Sequence, residues 1–235
     1  MMIAQMRDEK SWIITIDGPA GVGKSTAARG LARRLGAVFL DTGAMYRAVT
    51  LAAVERGLDP AETDAVAALM DACVFEFRSE GDAMRVFVDG ADRTAAIRDP
   101  AITEQVKHIA GAPALRARLV AMQRAFAGGC EAVVTEGRDQ GTVAFADAPV
   151  KFFLTADPVE RARRRHNELV AAGKDIALET ILTQQQHRDA ADEGRTFGPL
   201  KPAADAIVLD ATHLTAEQVI DRMEILVRER LRATE

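Results

Sequence analysis

The chain has 235 residues, enough for one well-buried core but too few for two full-size independent domains, so we expect one main domain. With 48% hydrophobic and 28% charged residues and no apolar run that approaches a bilayer span, the composition is typical of a globular protein and excludes a membrane-embedded one. The net charge of −5, with one Trp and one Tyr, argues against a protein that grips the backbone of DNA or RNA.

The start of the chain and its cysteines indicate the compartment. The opening segment MMIAQMRDEK carries acids and lacks a signal-peptide core, so we interpret it as a solvated tail. Cys73 and Cys130 are far apart and offer neither a disulfide framework nor a zinc site, and the four histidines show no metal spacing. We expect a cytoplasmic monomer with both cysteines in the core and with neither a membrane nor a nucleic acid as partner.

The first predicted elements alternate between strand and helix. An apolar strand over residues 12–17 ends at a glycine-rich turn, and a helix with apolar positions at helical spacing follows it. A second strand over 38–40 precedes helices over 43–56 and 60–72. This alternation predicts a parallel sheet covered by helices on both faces.

The alternation breaks over residues 73–94. The segments CVFEFR and MRVFVDG alternate apolar and polar residues beside turn-prone SEGD and DGAD, which predicts short antiparallel strands. Helices over 99–110 and 113–126 follow, and then a buried strand over 132–135. Residues 60–127 are therefore predicted to be an insertion.

The rest of the chain resumes the alternation. Strands are predicted from Val150 and from Ala206, with helices over 158–172, over 177–193 and from Thr215. The pattern as a whole predicts an α/β fold. Its core is expected to comprise residues 1–59 and 128–235.

The turn after the first strand contains a phosphate-binding motif. GPAGVGKS, from Gly18 to Ser25, fits G-x-x-x-x-G-K-[ST] between a strand and a helix, where convergent backbone N–H groups and the helix dipole favour phosphate. Lys24 is expected to bridge the β- and γ-phosphates of a nucleotide, and the Ser25 hydroxyl to bind Mg²⁺. A plain glycine-rich turn would not require Lys and then Ser there. The residues expected to bind the nucleotide are Gly18, Pro19, Ala20, Gly21, Val22, Gly23, Lys24, Ser25 and, in a supporting role, Thr26.

Further segments follow the motif in a distinctive order. They are LDTGAMYRAV, EGRDQGTVAF with DAPVKFFL, ERARRR, HRDAADEGR and PLKPAADAIVLD, and with the phosphate motif they run from Ile13 to about Asp210. On these segments the chain resembles the nucleoside monophosphate kinases, and most closely the bacterial cytidylate kinases. The resemblance implies a P-loop NTPase three-layer core with a parallel five-stranded sheet, an inserted acceptor-binding domain with a small antiparallel sheet, and a short helical lid at about 158–195. It implies transfer of the γ-phosphate of ATP, with Mg²⁺, to CMP or dCMP.

The acceptor site can also be argued from chemistry. A nucleotide acceptor brings its own anionic nucleophile, so the protein must neutralise charge and align the reactants, for which planar arginine side chains are suited. Arg47, Arg138, Arg188 and Arg195 are available on several elements. A hydroxyl acceptor would instead need a general base.

The segment DTGAMYR follows the second strand. The resemblance implies that Thr42, Tyr46 and Arg47 line the acceptor site, with Arg47 on the phosphate, whereas spacing alone equally fits Tyr46 and Arg47 as exposed helix residues. Asp41 is either structural or a support for Mg²⁺ behind its ligands.

The segment EGRD follows the strand AVVT, at a carboxyl end where open α/β sheets bind ligands. Glu136 is expected to orient Mg²⁺ or its water, and Gly137 to permit close approach. The resemblance implies that Arg138 binds the acceptor phosphate and that Asp139 accepts a hydrogen bond from the cytosine amino group. An internal Arg138–Asp139 pair is the alternative.

Two positions of the insertion concern the base. Arg116 matches a base-reading arginine of the family, although by itself it would pass for an exposed helix residue. Lys107 stands where relatives can carry a base-contacting serine. Base selectivity is therefore less firmly indicated than phosphate transfer.

Arg188, Asp192 and Arg195 are spaced so as to share one face of a helix, as in a surface ion-pair ladder. The resemblance instead assigns Arg188 and Asp192 to the ribose hydroxyls and Arg195 to the phosphate. Relatives can carry further charges where this chain has Ala190, Ala191 and Glu193, which predicts a thinner site here.

The segment ERARRRHNE predicts the lid. Arg161, Arg164 and Arg165 fall within about one turn, and in a mobile lid they would lie over the ATP phosphates, with Arg161 and Arg165 the first choices and Arg163 facing away. A solvated basic face offset by nearby glutamates is the alternative. The loop at 210–213 is a candidate for adenine contact. The residues predicted to act in catalysis are Lys24, Arg138, Arg161, Arg165 and Arg195.

Two rival functions remain open on this reasoning. One is a kinase for another small acceptor, such as UMP or a hydroxylated metabolite. The other is a nucleotide-dependent switch, which leaves the charges of DTGAMYR and EGRD unexplained.

Overall fold

The computed structural model describes residues 12–81 and 83–232. The predicted N-terminal tail lies outside these residues. The strands are β1 (Trp12–Asp17), β2 (Val38–Asp41), β3 (Phe75–Glu80), β4 (Ala83–Val88), β5 (Ala91–Asp92), β6 (Ala132–Gly137), β7 (Val150–Thr155) and β8 (Ile207–Asp210). The helices are α1 (Lys24–Leu35), α2 (Thr42–Glu55), α3 (Thr63–Ala72), α4 (Pro100–Gly111), α5 (Pro113–Gly128), α6 (Pro158–Ala171), α7 (Leu178–Glu193) and α8 (Ala216–Arg232).

The main sheet has five parallel strands in the order β2-β6-β1-β7-β8. Strand β1 lies at its centre, where Ile14 is paired with Val134 on one side and with Val150 on the other. The carboxyl ends of β1, β2 and β6 therefore meet at one edge, which is the edge where parallel sheets bind ligands. The predicted α/β fold with a five-stranded parallel sheet is confirmed.

Alternate residues of these strands feed two hydrophobic clusters. Val134 packs with α1 and α8, whereas its neighbour Val133 packs with α2, α4 and α5. Phe39 and Leu40 of β2 divide between the clusters in the same way. Because successive side chains of a strand point to opposite faces, the sheet is covered on both sides in three layers, as predicted.

The insertion carries the predicted antiparallel strands. β3 pairs with β4, placing Phe75 opposite Val88 and Phe77 opposite Val86, and the two-residue β5 adds a third strand that was not predicted. Buried Met84 belongs to the same hydrophobic cluster as the core residues around α2. The limits 60–127 for an acceptor-binding domain stay a prediction.

Some boundaries differ from those predicted. Helix α3 begins at Thr63 instead of residue 60, because Asp59 folds the preceding segment into a turn by accepting from the backbone N–H groups of Ala61 and Glu62. A 3₁₀ turn at Ala96–Arg98 and a π-helical turn at Gln140–Ala144 were also not predicted. Short turns of this kind leave too little periodicity to be seen in a sequence.

The structural setting of the cysteines is simple. Cys73 and Cys130 are free thiols, both half-buried against the cluster around α2, which is less buried than predicted. No helix of the described chain, residues 12–81 and 83–232, combines the length and apolar character needed to cross a membrane.

Candidate active site

The phosphate-binding loop joins β1 to α1, as predicted, and lies at the centre of the sheet. Gly18 passes so close to β7 that a Cβ at this position would lie 2.2 Å from the Leu154 carbonyl oxygen. Gly21 has a positive φ of 74°, and a Cβ there would lie 2.6 Å from the Gln185 side-chain nitrogen. Glycine is required at Gly18 because a side chain would meet fixed backbone, and it is favoured at Gly21 by the positive φ. The backbone N–H groups of the loop are thereby presented at the start of α1.

Lys24 is buried at the first position of α1, and its ammonium donates to the Pro19 carbonyl within the loop at 2.7 Å. Burial, together with the positive charge of Arg138, lowers the pKa of Lys24 to about 7. Val22 points into the hydrophobic core, so its contribution to a ligand is limited to its backbone. Thr26 is exposed on α1.

Ser25, in the first turn of α1, and Glu136, near the end of β6, meet beside the loop. The Ser25 hydroxyl donates to Glu136 Oε1 at 2.8 Å, and the Thr42 hydroxyl donates to the Glu136 carbonyl at 2.7 Å. A hydroxyl and a carboxylate form a hard oxygen donor pair of the kind that Mg²⁺ prefers. Within residues 12–81 and 83–232 no group of three or more His, Cys, Asp or Glu side chains could hold a metal, so a bound Mg²⁺ would need ligands from phosphate and water.

Asp41 organises the segment DTGAMYR. Its carboxylate caps α2 by accepting from the Ala44 N–H at 2.8 Å, and it pairs with Arg47 at 3.3 Å and with Arg98 at 3.0 Å. Arg47 and Tyr46 are half-buried, so the alternative of fully exposed helix residues is wrong. Burial raises the pKa of Tyr46 to about 12, which keeps its hydroxyl neutral.

Asp192 draws two of the predicted phosphate-binding arginines together. It is buried on α7, and it accepts from Arg138 Nε at 2.7 Å and from the guanidinium of Arg195. Arg188 lies beside these three charges, with its side chain exposed to solvent. Since Asp192 is only 3% exposed, the alternative of a surface ion-pair ladder is wrong.

Arg195 itself is not on the helix. Helix α7 ends at Glu193, and the N–H of Gly194 closes the last turn on the Ala190 carbonyl. The expectation that Arg188, Asp192 and Arg195 share one helical face is therefore wrong for Arg195, which reaches Asp192 from the following loop.

Arg116 and Asp139 form a buried ion pair. Arg116, 2% exposed on α5, donates to the Asp139 carboxylate and, at 3.3 Å, to the Ala110 carbonyl. Its guanidinium also lies 5.7 Å from the centre of the Phe197 ring. Arg138 and Asp139 are thus paired with different elements, so the alternative of an internal Arg138–Asp139 pair is wrong, and Arg116 is not an exposed helix residue.

Asp17 is a site residue that sequence reasoning missed. At the end of β1 it accepts from the backbone N–H groups of Gln140 at 2.8 Å and Gly141 at 2.7 Å, which anchors the turn that follows Arg138 and Asp139. Burial raises the pKa of Asp17 to about 6. A carboxylate at the end of an otherwise apolar buried strand was the available signal.

The arginines of α6 separate into inward and outward groups. Arg161 is buried against the loop, donating to the Ala20 carbonyl at 2.9 Å and to Asp189 at 2.6 Å. Arg164 donates to the carbonyls of Ala211 and Thr212, within the loop predicted for adenine contact. Arg163 faces outward, as predicted, and pairs with Glu160. Arg165 also faces outward and pairs with Glu168, as the alternative of a solvated basic face offset by glutamates describes.

The structure thus gathers most of the predicted site. Arg165 is about half exposed and Lys107 is exposed, and these two side chains are not drawn into the network of arginines and aspartates described above. Asp189, like Asp17, was not predicted. Its only signal was its place beside Arg188 in HRDAADEGR.

Two clusters whose chemistry suits anions therefore adjoin each other. One is a backbone cradle with a buried lysine, and the other is a set of arginines oriented by buried aspartates. Fold and site together define a P-loop nucleotide-binding protein of the phosphoryl-transfer class.

Comparison with known proteins is more specific. The sequence model of the family described as cytidylate kinase matches residues 14–229. The chain is 47% identical to the cytidylate kinase of Mycobacterium avium (strain 104), over 93% of this chain and 96% of that protein. It is 46% identical to the cytidylate kinase of Geobacter sulfurreducens, over 94% of this chain and 95% of that protein. The chain belongs to the cytidylate kinase family.

Among solved structures, the fold is similar to that of an uncharacterized protein from Eubacterium ventriosum. The TM-score is 0.50 at 14% identity, covering 94% of this chain and 99% of that one. This likeness concerns the fold alone.

Proposed function

We propose that this protein is a cytidylate kinase that transfers the γ-phosphate of ATP to the 5′-phosphate of CMP or dCMP, giving ADP and CDP or dCDP. The observation that carries the proposal is the phosphate cradle lying beside the half-buried pair Arg138–Asp192 and the buried pair Arg116–Asp139, in a chain of the cytidylate kinase family. The cradle supports a triphosphate donor, and the arginines support an anionic acceptor.

The donor is held by the loop from Gly18 to Ser25 and by Lys24, with Thr26 in a supporting role. Backbone N–H groups at the start of α1 bind phosphate oxygens, and Lys24 neutralises charge at the β- and γ-phosphates. Ser25 and Glu136 are the residues that would hold Mg²⁺, which when bound supplies positive charge to the phosphate oxygens. Arg161 and Arg165 are assigned to the lid over the phosphates.

The acceptor phosphate is assigned to Arg47, Arg138 and Arg195. An acceptor phosphate is already ionised, so the site needs to align it with the donor and to screen the repulsion between them, and no general base is required. Asp41 and Asp192 hold the three guanidinium groups in defined positions before the substrate arrives. Preorganised charge of this kind is the largest expected contribution to the rate.

The nucleoside is assigned to the other side of the same network. Asp139 accepts from the cytosine amino group, and its pairing with Arg116 fixes the orientation of its carboxylate. Thr42 and Tyr46 line the site, while Arg188 and Asp192 are placed at the ribose hydroxyls. Asp139 as a hydrogen-bond acceptor favours a base that carries an amino group and therefore favours CMP over UMP.

We also propose that one chain is sufficient and that it works as a cytoplasmic monomer. The free cysteines Cys73 and Cys130 fit a reducing compartment. Residues 60–127 are assigned as the acceptor-binding domain and about 158–195 as the lid.

The proposed function is tested by measuring ADP formation with ATP, Mg²⁺ and a panel of nucleoside monophosphates. We expect turnover with CMP and dCMP and a much lower kcat/KM with UMP and AMP. ADP release that does not depend on any monophosphate would contradict a kinase. Preference for UMP or AMP would contradict the cytidylate assignment while leaving phosphoryl transfer in place.

A further inference from the structure

One face of α7 is buried and almost entirely polar. Its buried residues Ile181, Gln185, Asp189 and Asp192 recur at helical spacing, and three of the four carry polar side chains. A helix that packs only to support a fold normally buries an apolar stripe. The polar stripe of α7 therefore has partners that need hydrogen bonds.

The middle of this stripe, Gln185 and Asp189, lies against the phosphate-binding loop. Asp189 is buried and accepts from the Ala20 backbone N–H at 3.2 Å. Gln185, one turn earlier, comes so close to Gly21 that a side chain at Gly21 would collide with it. Helix α7 thus contacts two consecutive residues of the loop.

Asp189 also holds the backbone carbonyl group of Ala20, acting through Arg161. Its carboxylate accepts from Arg161 Nη1 at 2.6 Å, and the same nitrogen donates to the Ala20 carbonyl at 2.9 Å. Arg161 Nε donates to the Ala156 carbonyl at 3.2 Å, which holds the guanidinium in this orientation. Both the N–H and the C=O of Ala20 are therefore bonded to one buried ion pair, the Arg161–Asp189 clasp.

The last residue of the stripe, Asp192, reaches the arginines assigned to the acceptor. Asp192 lies three residues after Asp189 and pairs with Arg138 and Arg195. A rigid helix consequently connects the loop assigned to ATP with the arginines assigned to the acceptor phosphate. In-line transfer depends on the distance between these two groups, and small displacements of reacting atoms lower the rate strongly.

We propose that Asp189 is a positioning residue, which sets the phosphate-binding loop against the acceptor arginines by holding Ala20 through the Arg161–Asp189 clasp. This inference rests on the proposed function. Asp189 contacts neither substrate and acts through the loop and through Arg161. Its loss must then affect both substrates together, whereas loss of a residue that binds one substrate affects that substrate.

The first test measures hydrogen exchange of the Ala20 amide in the full chain without substrates. Asp189→Ala is expected to accelerate this exchange by about tenfold or more, because a charge-assisted hydrogen bond is removed. Asp189→Asn keeps an oxygen for the Ala20 N–H and is expected to show a smaller acceleration. Glu179→Gln is the matched control, since Glu179 is an exposed carboxylate in the first turn of the same helix.

The second test compares KM values and combines the variants. Asp189→Ala should raise the KM for ATP and for CMP by similar factors, about tenfold each. The Arg161→Ala, Asp189→Ala double variant should be no worse than the more impaired single variant, because both changes break one clasp. Fold-losses that multiply would show two independent residues.

Several results would overturn the inference. They are unchanged Ala20 exchange in Asp189→Ala, a KM change for one substrate only, and a lowered melting temperature with both KM values unchanged. If Asp189→Ala does not fold, Asp189→Asn carries the same measurements with smaller expected changes. Failure of the proposed function is distinguishable, because wild-type protein would then form no ADP with CMP, whereas the amide exchange is measured without substrates.

Discussion

The proposed donor and acceptor halves of the site are built in different ways. The donor cradle is one run of eight residues, Gly18 to Ser25, whose backbone turns between β1 and α1. The acceptor half takes its arginines from five places in the chain. They are α2, α5, the turn after β6, the last turns of α7 (Arg188) and the loop that follows α7 (Arg195). Its ion pairs join residues that are far apart in the chain, 23 positions for Arg116 and Asp139 and 54 for Arg138 and Asp192.

The difference shows how each half obtains its precision. A main-chain cradle is fixed by glycine geometry and by the helix that follows it, so neighbours in sequence suffice. Long arginine side chains have many rotamers, and each must be held by a partner before it can orient a phosphate. The buried carboxylates Asp41, Asp139 and Asp192 supply those partners.

The largest expected effect tests the donor half. Lys24→Met should lower kcat/KM for phosphate transfer by about 10³-fold, because one preorganised charge is lost at the transferring group. The measurement is ADP formation at saturating Mg²⁺. Lys201→Met is the control, since Lys201 is an exposed lysine with no assigned role in the site and a change below about threefold is expected there. A loss under tenfold for Lys24→Met would show that the cradle does not act as described.

A smaller effect separates the two halves. Arg47→Ala should raise the KM for CMP by about 100-fold while the dissociation constant for ATP stays within about threefold, because a charged hydrogen bond to one substrate is removed. Arg98→Ala is the matched control. Arg98 pairs with the same Asp41 but its side chain is 47% exposed, against 17% for Arg47, so a small change is expected. Equal weakening of both substrates in Arg47→Ala would show that Arg47 does not belong to the acceptor half.

The smallest expected effect is the uptake of a proton by Lys24 when ATP binds. The pKa of Lys24 is lowered to about 7 by burial and by Arg138, so the amine is mostly neutral near pH 8. A bound polyphosphate favours the charged form, and ATP binding should therefore be accompanied by proton uptake at Lys24 near pH 8 and by much less near pH 6, where the amine is already protonated.

Calorimetry in buffers of different ionisation enthalpy measures this uptake. The binding enthalpy of ATP near pH 8 should vary with the buffer, and the exposed-lysine variant Lys174→Met should retain that variation. Identical enthalpies in all buffers near pH 8 would mean that Lys24 is already charged in the free protein.

Much of the fold could be predicted from local pattern. The limits of β1 and of the phosphate-binding loop are those expected, because apolar periodicity, glycine and the Lys-Ser pair all lie within adjacent residues. The π-helical turn at Gln140–Ala144 was not predicted, because its cause is the distant carboxylate of Asp17. Asp17 and Asp189 were missed because the backbone N–H groups that their carboxylates bind belong to residues far away in the sequence.

The sequence by itself determined the succession of strands and helices along the chain, the nucleotide cradle and the types of side chain that could bind an acceptor. These features follow from the spacing of residues along the chain, because that spacing decides which side chains share one turn of a helix or one face of a strand. Only the tertiary structure decided that Asp192 holds Arg138 and Arg195, that Asp139 holds Arg116, and that Asp189 holds the loop through Arg161. The chain carries 35 acidic and 30 basic residues, and which of them pair depends on how the helices pack against the sheet edge.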